Sequence, residues 1–367
     1  MPQILFIWDF SMTINKHLQN VIKSTLFLAF LIPAFFQISY LARKDIAHTT
    51  RIRAGFYALK KNSLDVCIVG TSGTFSAYCP MEAWEKYGFT SYNFCVNVMG
   101  ADTFTYALKE VLKTQRPKLI LIDVYPFIIH QRVGNMKSAG EEYMIRYNTD
   151  GYRYSLNRCK LIHDVVPANY SKLSFYFDIL KYDDGKFDFS LRNFACNNFR
   201  RGYSNLPWLE GHPAIATDKL KPLEDEFDND LETLIKYCKE LSSEGDIKFL
   251  FMYYPYGNPR DDSIEYLNYI KQKIKVNNFD FMDCEEFLEE FNFDYMQDFW
   301  GDAHWNIFGA EKITAVVSRH LQEMFNFEDK RNEKNYKNWN EDLLAWKKYV
   351  IDEKRYIEND KLNKLAK

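Results

Sequence analysis

Two short stretches carry residues whose types and spacing could do chemistry. In Val66-Cys67-Ile68-Val69-Gly70-Thr71-Ser72-Gly73, an apolar run stops at a hydroxyl flanked by glycines. A serine on a tight turn at the end of a buried strand has its hydroxyl exposed and a backbone N–H available for an oxyanion. Far along the chain, Asp298-Phe-Trp-Gly-Asp302-Ala-His304-Trp305-Asn306 places acidic residues shortly before a histidine. A serine, an imidazole that takes its proton and a carboxylate that fixes the imidazole tautomer make the triad of acyl-transfer enzymes. Only seven histidines compete for the role of base. His17 precedes the first apolar helix, His48, His163 and His212 lie away from strong strand ends, and His320 falls mid-helix. His130, some way after the third strand, is the rival of His304. A glycine-capped turn at Ser72 and a histidine capping the last helix are the structural alternatives.

The elements that must position these residues read as alternating strands and helices. Val66 to Val69 is β-branched and apolar throughout, the pattern of a strand buried on both faces. Pro80-Met-Glu-Ala-Trp-Glu-Lys-Tyr87 has proline at a helix start and acidic residues behind it. A second strand is expected over Ser91 to Val98, a helix over Phe104 to Thr114 and a third strand over Leu119 to Val124. Strand, helix, strand, helix, strand at this spacing predicts βαβ units and a parallel sheet. From about residue 128 to 245 the strand pattern fades into helical and irregular pieces, read as an insertion over the sheet's carboxyl edge. Strands return at Ile247 to Pro255 and Phe279 to Met282, with helices over Leu223 to Leu241, Asp262 to Val276 and from the His304 loop to Met324.

Composition excludes several classes. At 367 residues, with 25 Tyr and 30 Phe against 15 Gly and 11 Pro, the chain is an ordered protein able to bury a large core. A net charge of −3 and the absence of an arginine-rich or RNA-binding signature give no argument for nucleic acid. Seven scattered cysteines without a C-x-x-C pair suggest neither a zinc site nor a disulfide framework. There is no P-loop and no Gly-x-Gly-x-x-Gly, so no metal or nucleotide cofactor is expected.

Val21 to Leu41 is the one long apolar run, uncharged from Ser24 onward, and has the ~20 residues that a membrane helix needs. An uncleaved single-pass anchor over 21–42 is expected, with a signal peptide as the alternative. Basic residues Arg43, Lys44, Arg51, Arg53, Lys60 and Lys61 follow the run, and this bias favours a cytoplasmic domain after it. The remaining divisions are an N-terminal segment 1–20, whose apolar patch Ile4 to Trp8 has no assignment, an α/β domain 45–326 and a charged helical tail 327–367.

In their order along the chain, Gly70-Thr71-Ser72, Gly100 and Asp302-x-His304 resemble the SGNH (GDSL-like) hydrolase superfamily, whose fold is a flavodoxin-like three-layer α/β/α sandwich. The anchor, Arg51-Ile-Arg-Ala-Gly-Phe-Tyr-Ala-Leu-Lys-Lys61, Arg146-Tyr-Asn-Thr-Asp-Gly-Tyr-Arg-Tyr-Ser-Leu-Asn157, His304-Trp-Asn-x-x-Gly-Ala-Glu-Lys-x-Thr314 and a tail with Trp339 and Trp346 are similar to its membrane-anchored, DltD-like and O-acyltransferase-associated branch. The resemblance spans most of residues 45 to 350. It implies Ser72 as nucleophile, His304 as base and Asp302 as its orienter, with the N–H groups of Ser72 and Gly100 as oxyanion donors. Two departures stand out. The superfamily carries Asp three residues before the His, where this chain has Gly301; the Asp-x-His-Trp form is similar to the AlgX and AlgJ alginate acetyltransferase relatives, and Asp298 is the substitute orienter. The Gly-x-Asn-Asp block after the third strand is replaced by Asp123-Val124-Tyr125, which leaves Asn97 as the candidate side-chain oxyanion donor.

The resemblance implies a serine esterase or O-acyltransferase acting on acyl groups of cell-surface glycan or teichoic acid, outside the membrane, beside a membrane-bound O-acyltransferase partner. Two other readings stay open. One is a non-catalytic accessory protein of the same fold that binds glycan or that partner. The other is a cytosol-facing esterase on an anchor, which the charge bias and the free cysteines favour.

Overall fold

The computed structural model describes residues 16–42, 49–128, 135–181, 191, 195–205, 225–245, 247–255, 261–300 and 304–365. The apolar patch before residue 11, His130, His212 and Asp302 lie outside the described residues. The apolar runs form the strands of one five-stranded parallel sheet: β1 (Val66–Val69), β2 (Ser91–Asn93), β3 (Leu119–Asp123), β4 (Lys248–Tyr253) and β5 (Asp280–Asp283). Their order is β2-β1-β3-β4-β5, so the chain steps from β1 to one side and then back across to the other. Val66 pairs with Ser91 on one side and Leu119 on the other, and every side chain of β1 and β3 is buried. Uninterrupted apolar sequence is what a strand covered on both faces requires.

Helices cover the sheet: α2 (Thr49–Tyr57), α3 (Ser72–Ala77), α4 (Pro80–Tyr87) and α5 (Phe104–Val111) come from the first half. Then α6 (Glu142–Thr149) and α7 (Leu156–Val165) belong to the insertion, where the described residues carry no strand, as its pattern predicts. Asp225–Glu244 (α8) and Asp261–Val276 (α9) flank β4, Ile307–Phe325 (α10) follows the histidine, and Lys337–Leu365 (α11) closes the described chain. Five of the seven cysteines are buried core residues.

The second strand is shorter than expected. Phe94 N–H still donates to Ile68 O at 2.8 Å and Val96 N–H to Gly70 O at 3.1 Å, so the chain follows β1 beyond the regular ladder. It breaks away at Val98, whose φ of 46° is left-handed. A β-branched residue there costs about 1–3 kcal/mol and persists only when its surroundings hold it.

Lys16–Leu41 (α1) is long and apolar enough to cross a membrane, and none of its apolar window is buried. Its last turns touch the domain. Phe35 and Phe36 meet Phe177 with ring centroids 5.2 and 5.3 Å apart, and Phe36 meets Tyr154 edge-on at 4.8 Å. Ser39 Oγ accepts from the Tyr154 hydroxyl at 3.0 Å and the Ile179 N–H at 3.2 Å.

Beneath that seat lies a buried ionic group. Lys181 lies 2.5 Å from Asp150 and 3.7 Å from Asp178, and Arg158 lies 3.6 Å from Asp178, with all four side chains at most 1% exposed. Burial opposes the charge on Asp150; Lys181, backed by Arg146 and Arg158, overrides it and holds the carboxyl below its ordinary value. Arg53 joins this platform to α2: its guanidinium donates to the carbonyls of Asn148, at 3.1 Å, and Asp150, and covers the Tyr152 ring at 3.9 Å. The two basic and aromatic segments around 51–61 and 146–157 are thus halves of one brace.

The tail helix α11 packs through buried Trp339, Trp346, Val350 and Ile357, leaving Leu344, Ile351 and Tyr356 to solvent. Trp339 lies 5.3 Å from Trp84 of α4, and Trp346 meets Tyr203 edge-on at 5.2 Å.

Candidate active site

Ser72 is the first residue of α3, directly beyond the carboxyl end of β1 where the strand order reverses. First-turn amides of a helix have no partner inside it, so the Ser72 N–H is not used within α3. Gly70 permits the sharp exit. A Cβ there would fall 2.5 Å from Thr74 Oγ1 and 2.7 Å from Asp123 Cβ. Those two residues are hydrogen-bonded, Thr74 hydroxyl to Asp123 carboxylate, and so tie the helix that carries Ser72 to the end of β3.

His304 stands on a two-stranded antiparallel ribbon, β6 (Phe299–Trp300) and β7 (His304–Trp305), directly opposite Trp300. Each neighbour in its motif has a mechanical task. Trp305 is fully buried against Phe299 and Phe293, with centroids 4.5 and 5.3 Å away. Asn306 caps α10, its Oδ1 accepting from the N–H groups of Phe308 and Gly309, while its Nδ2 donates to Gln297 O at 2.6 Å. A Cβ on Gly309 would lie 2.4 Å from Asp298 O. Thr314 reaches back, accepting from Cys79 N–H at 2.8 Å and donating to Ala77 O at 3.2 Å.

A hydrogen bond ties the histidine ribbon to the serine helix. Trp305 N–H donates to Ser76 Oγ at 3.2 Å, and Ser76 lies four residues after Ser72 on the same face of α3. Their shared cleft, about 360 Å³, is lined by Ser72, Asn97 and His304 together with Phe75, Val98, Tyr143, Tyr147, Ser204, Asn205 and Trp300. Its described lining carries no formal charge. Three of the six sequence-predicted site residues therefore meet in one cavity.

Of the other three, Gly100 and Asp298 are not among its described lining residues. Asp302 lies outside the described residues. Gly100, expected as an oxyanion donor, gives its N–H to Asn148 Oδ1 at 3.1 Å. The same buried amide takes the Thr103 hydroxyl at 2.9 Å and donates to Val98 O and Met144 O, each at 2.9 Å. Asn148 thus clamps the 97–100 loop from behind and holds Val98 in its left-handed conformation. Asp298, the substitute orienter, is fully buried, with its carboxylate 2.9 Å from Lys312 and accepting the Asp294 N–H at 2.8 Å. Burial pushes that carboxyl above its ordinary value although the Asp294 N–H and Lys312 pull the other way. Its described partners are structural.

Asn148 and the pair Tyr143 and Tyr147 escaped the sequence reading. The tyrosines sit at i and i+4 of α6, a spacing visible in Glu142–Thr149 that marks one helix face without saying what it faces. Ser204 and Asn205 come from an irregular stretch with no periodicity. No family model, curated protein or solved structure matches the chain.

Proposed function

We propose that the protein is a membrane-anchored serine esterase or O-acyltransferase of the SGNH-like kind, working through Ser72 and His304. The observation that carries this is the convergence of Ser72, Asn97 and His304, distant in sequence, on one cleft at the carboxyl edge of the sheet. The strand order 2-1-3-4-5 is that of flavodoxin-like doubly wound sheets, in which ligands bind outside the strand ends at the reversal point, and it supports the same fold reading.

In this mechanism His304 takes the Ser72 proton as Oγ attacks an ester carbonyl. The oxyanion is met by the Ser72 N–H and the Asn97 amide, since the Gly100 N–H is engaged by Asn148. The alkoxide leaves with the proton from His304, giving acyl-Ser72. Water or an acceptor hydroxyl then attacks, His304 takes its proton, and Ser72 Oγ departs and is reprotonated. Asp302 is the orienting carboxylate. The substrate is an acyl group on cell-surface glycan or teichoic acid, α1 spans the membrane with the α/β domain outside, and a membrane-bound O-acyltransferase is the partner.

The test is labelling of the full-length protein in detergent with a fluorophosphonate, read by mass spectrometry. Modification at Ser72 that Ser72→Ala and His304→Ala both abolish is expected; a folded protein that resists labelling refutes the catalytic reading. The commitment of Gly100 to Asn148 favours a second reading, a non-catalytic accessory protein that binds glycan or the partner in the same cleft. In that case Ser72→Ala retains function.

A further inference from the structure

We infer that Trp300 is a positioning residue for the proposed base, holding the imidazolium of His304 against its indole face. This rests on the reading of Ser72 and His304 as a catalytic pair. The two rings are stacked, with centroids 4.5 Å apart and planes at 16°. Backbone pairing enforces the stack, because Trp300 and His304 are directly opposite across the ribbon. That ribbon is fixed on both sides: Phe299 and Trp305 pack at 4.5 Å, and the Trp305 N–H is held by Ser76. Trp300 also lines the cleft, so the indole lies at the place where the charge would develop.

The physics is the attraction of a cation to the negative face of an aromatic ring, strongest for Trp and larger where water is excluded. Neutral imidazole gains less from the same face. The stack therefore favours the protonated form, which is the form His304 takes in the transition state. Among the described residues, the other titratable groups near His304 are few or already paired. The described residues of β6 carry no titratable side chain, nor does α3 beyond the Ser72 hydroxyl. The phenols of Tyr143 and Tyr147 stand across the cleft. On α10, Lys312 is paired with Asp298 and Glu311 with Lys354. Asp302 lies outside the described residues and is present in every variant compared.

The experiment is titration of the His304 C2–H resonance by NMR in full-length protein in detergent micelles, assigned by its loss in His304→Ala. The apparent pKa of His304 should fall by about 0.5 to 1.5 in Trp300→Leu and by less in Trp300→Phe. The acid limb of the labelling rate at Ser72 should move to lower pH by the same amount, with the plateau about 3- to 30-fold lower. Fluorinated tryptophan keeps the shape and weakens the ring face. Incorporated in the parent it should lower the His304 pKa stepwise with fluorine number, and in Trp300→Phe it should not. An unchanged pKa across these proteins overturns the inference, and a slower reaction with an unmoved acid limb reduces Trp300 to packing. A pKa that responds in a protein that is not labelled at Ser72 supports the stack and refutes the serine-enzyme reading.

Discussion

The cleft and the platform under α1 share one insertion, yet they are electrostatic opposites. The described cleft lining has no formal charge, whereas the platform buries Arg53, Arg158, Lys181, Asp150 and Asp178 within one brace. The contrast extends to the carboxyl groups behind each. Cations hold the Asp150 carboxyl below its ordinary value, while Asp102, behind the 97–100 loop, is pushed up to about 7 by burial and by Asp230. Charge is concentrated where it braces the chain and is left out of the described lining where reactants would sit. In the proposed reaction, a cleft of that kind leaves the developing oxyanion and imidazolium unscreened by permanent charges.

The largest test of this contrast is Lys181→Met. Removing the cation leaves Asp150 and Asp178 short of a partner in a dry site, so a loss of about 3–5 kcal/mol is expected in denaturant unfolding. Next is Asn148→Ala, which strips the 97–100 loop of its clamp. Leaving the Gly100 N–H and Val98 carbonyl without that partner should cost about 1–3 kcal/mol, and a gain in labelling at Ser72 would show that the clamp withholds an oxyanion donor.

A pH series sharpens the comparison further. A carboxyl raised by folding stabilises the protein below the unfolded value near ~4, and that contribution is lost as pH rises through about 7. Asp102→Asn should therefore flatten the fall in stability between about pH 4 and 7, a slope on the order of 1 kcal/mol per pH unit. Asp150 has the opposite sign: its contribution is present above pH ~4 and lost as the pH drops through its lowered folded value. The smallest effect is expected at Ser72→Ala, within about 0.5 kcal/mol of the parent in thermal unfolding. A large change there would mean that the serine is structural.

The strands were legible because a doubly covered strand needs unbroken apolar sequence, and Val66–Val69 and residues 119–122 have it. Ser72 and His304 could be singled out along the chain, the one by the buried strand that ends before it and the other by the acidic residues that precede it, and both line one cleft. Gly100 misled, because a glycine after a strand does not reveal that its N–H belongs to Asn148, 48 residues on. The platform was hidden for a related reason: Arg53, Asp150, Arg158 and Lys181 look like surface charge along the chain and are joined only by tertiary packing. Tyr143 and Tyr147 give a helix face without naming what it faces.

The seat of α1 has a mechanical consequence. Phe35, Phe36 and Ser39 are keyed into Tyr154, Phe177 and Ile179, so the end of the helix and the platform turn as one piece. Tyr147 on the cleft wall and Tyr154 on the seat are seven residues apart, a span of at most about 25 Å. Whatever sets the tilt of the helix axis therefore also sets the height and bearing of the cleft, which works as a fixed arm rather than a head on a string.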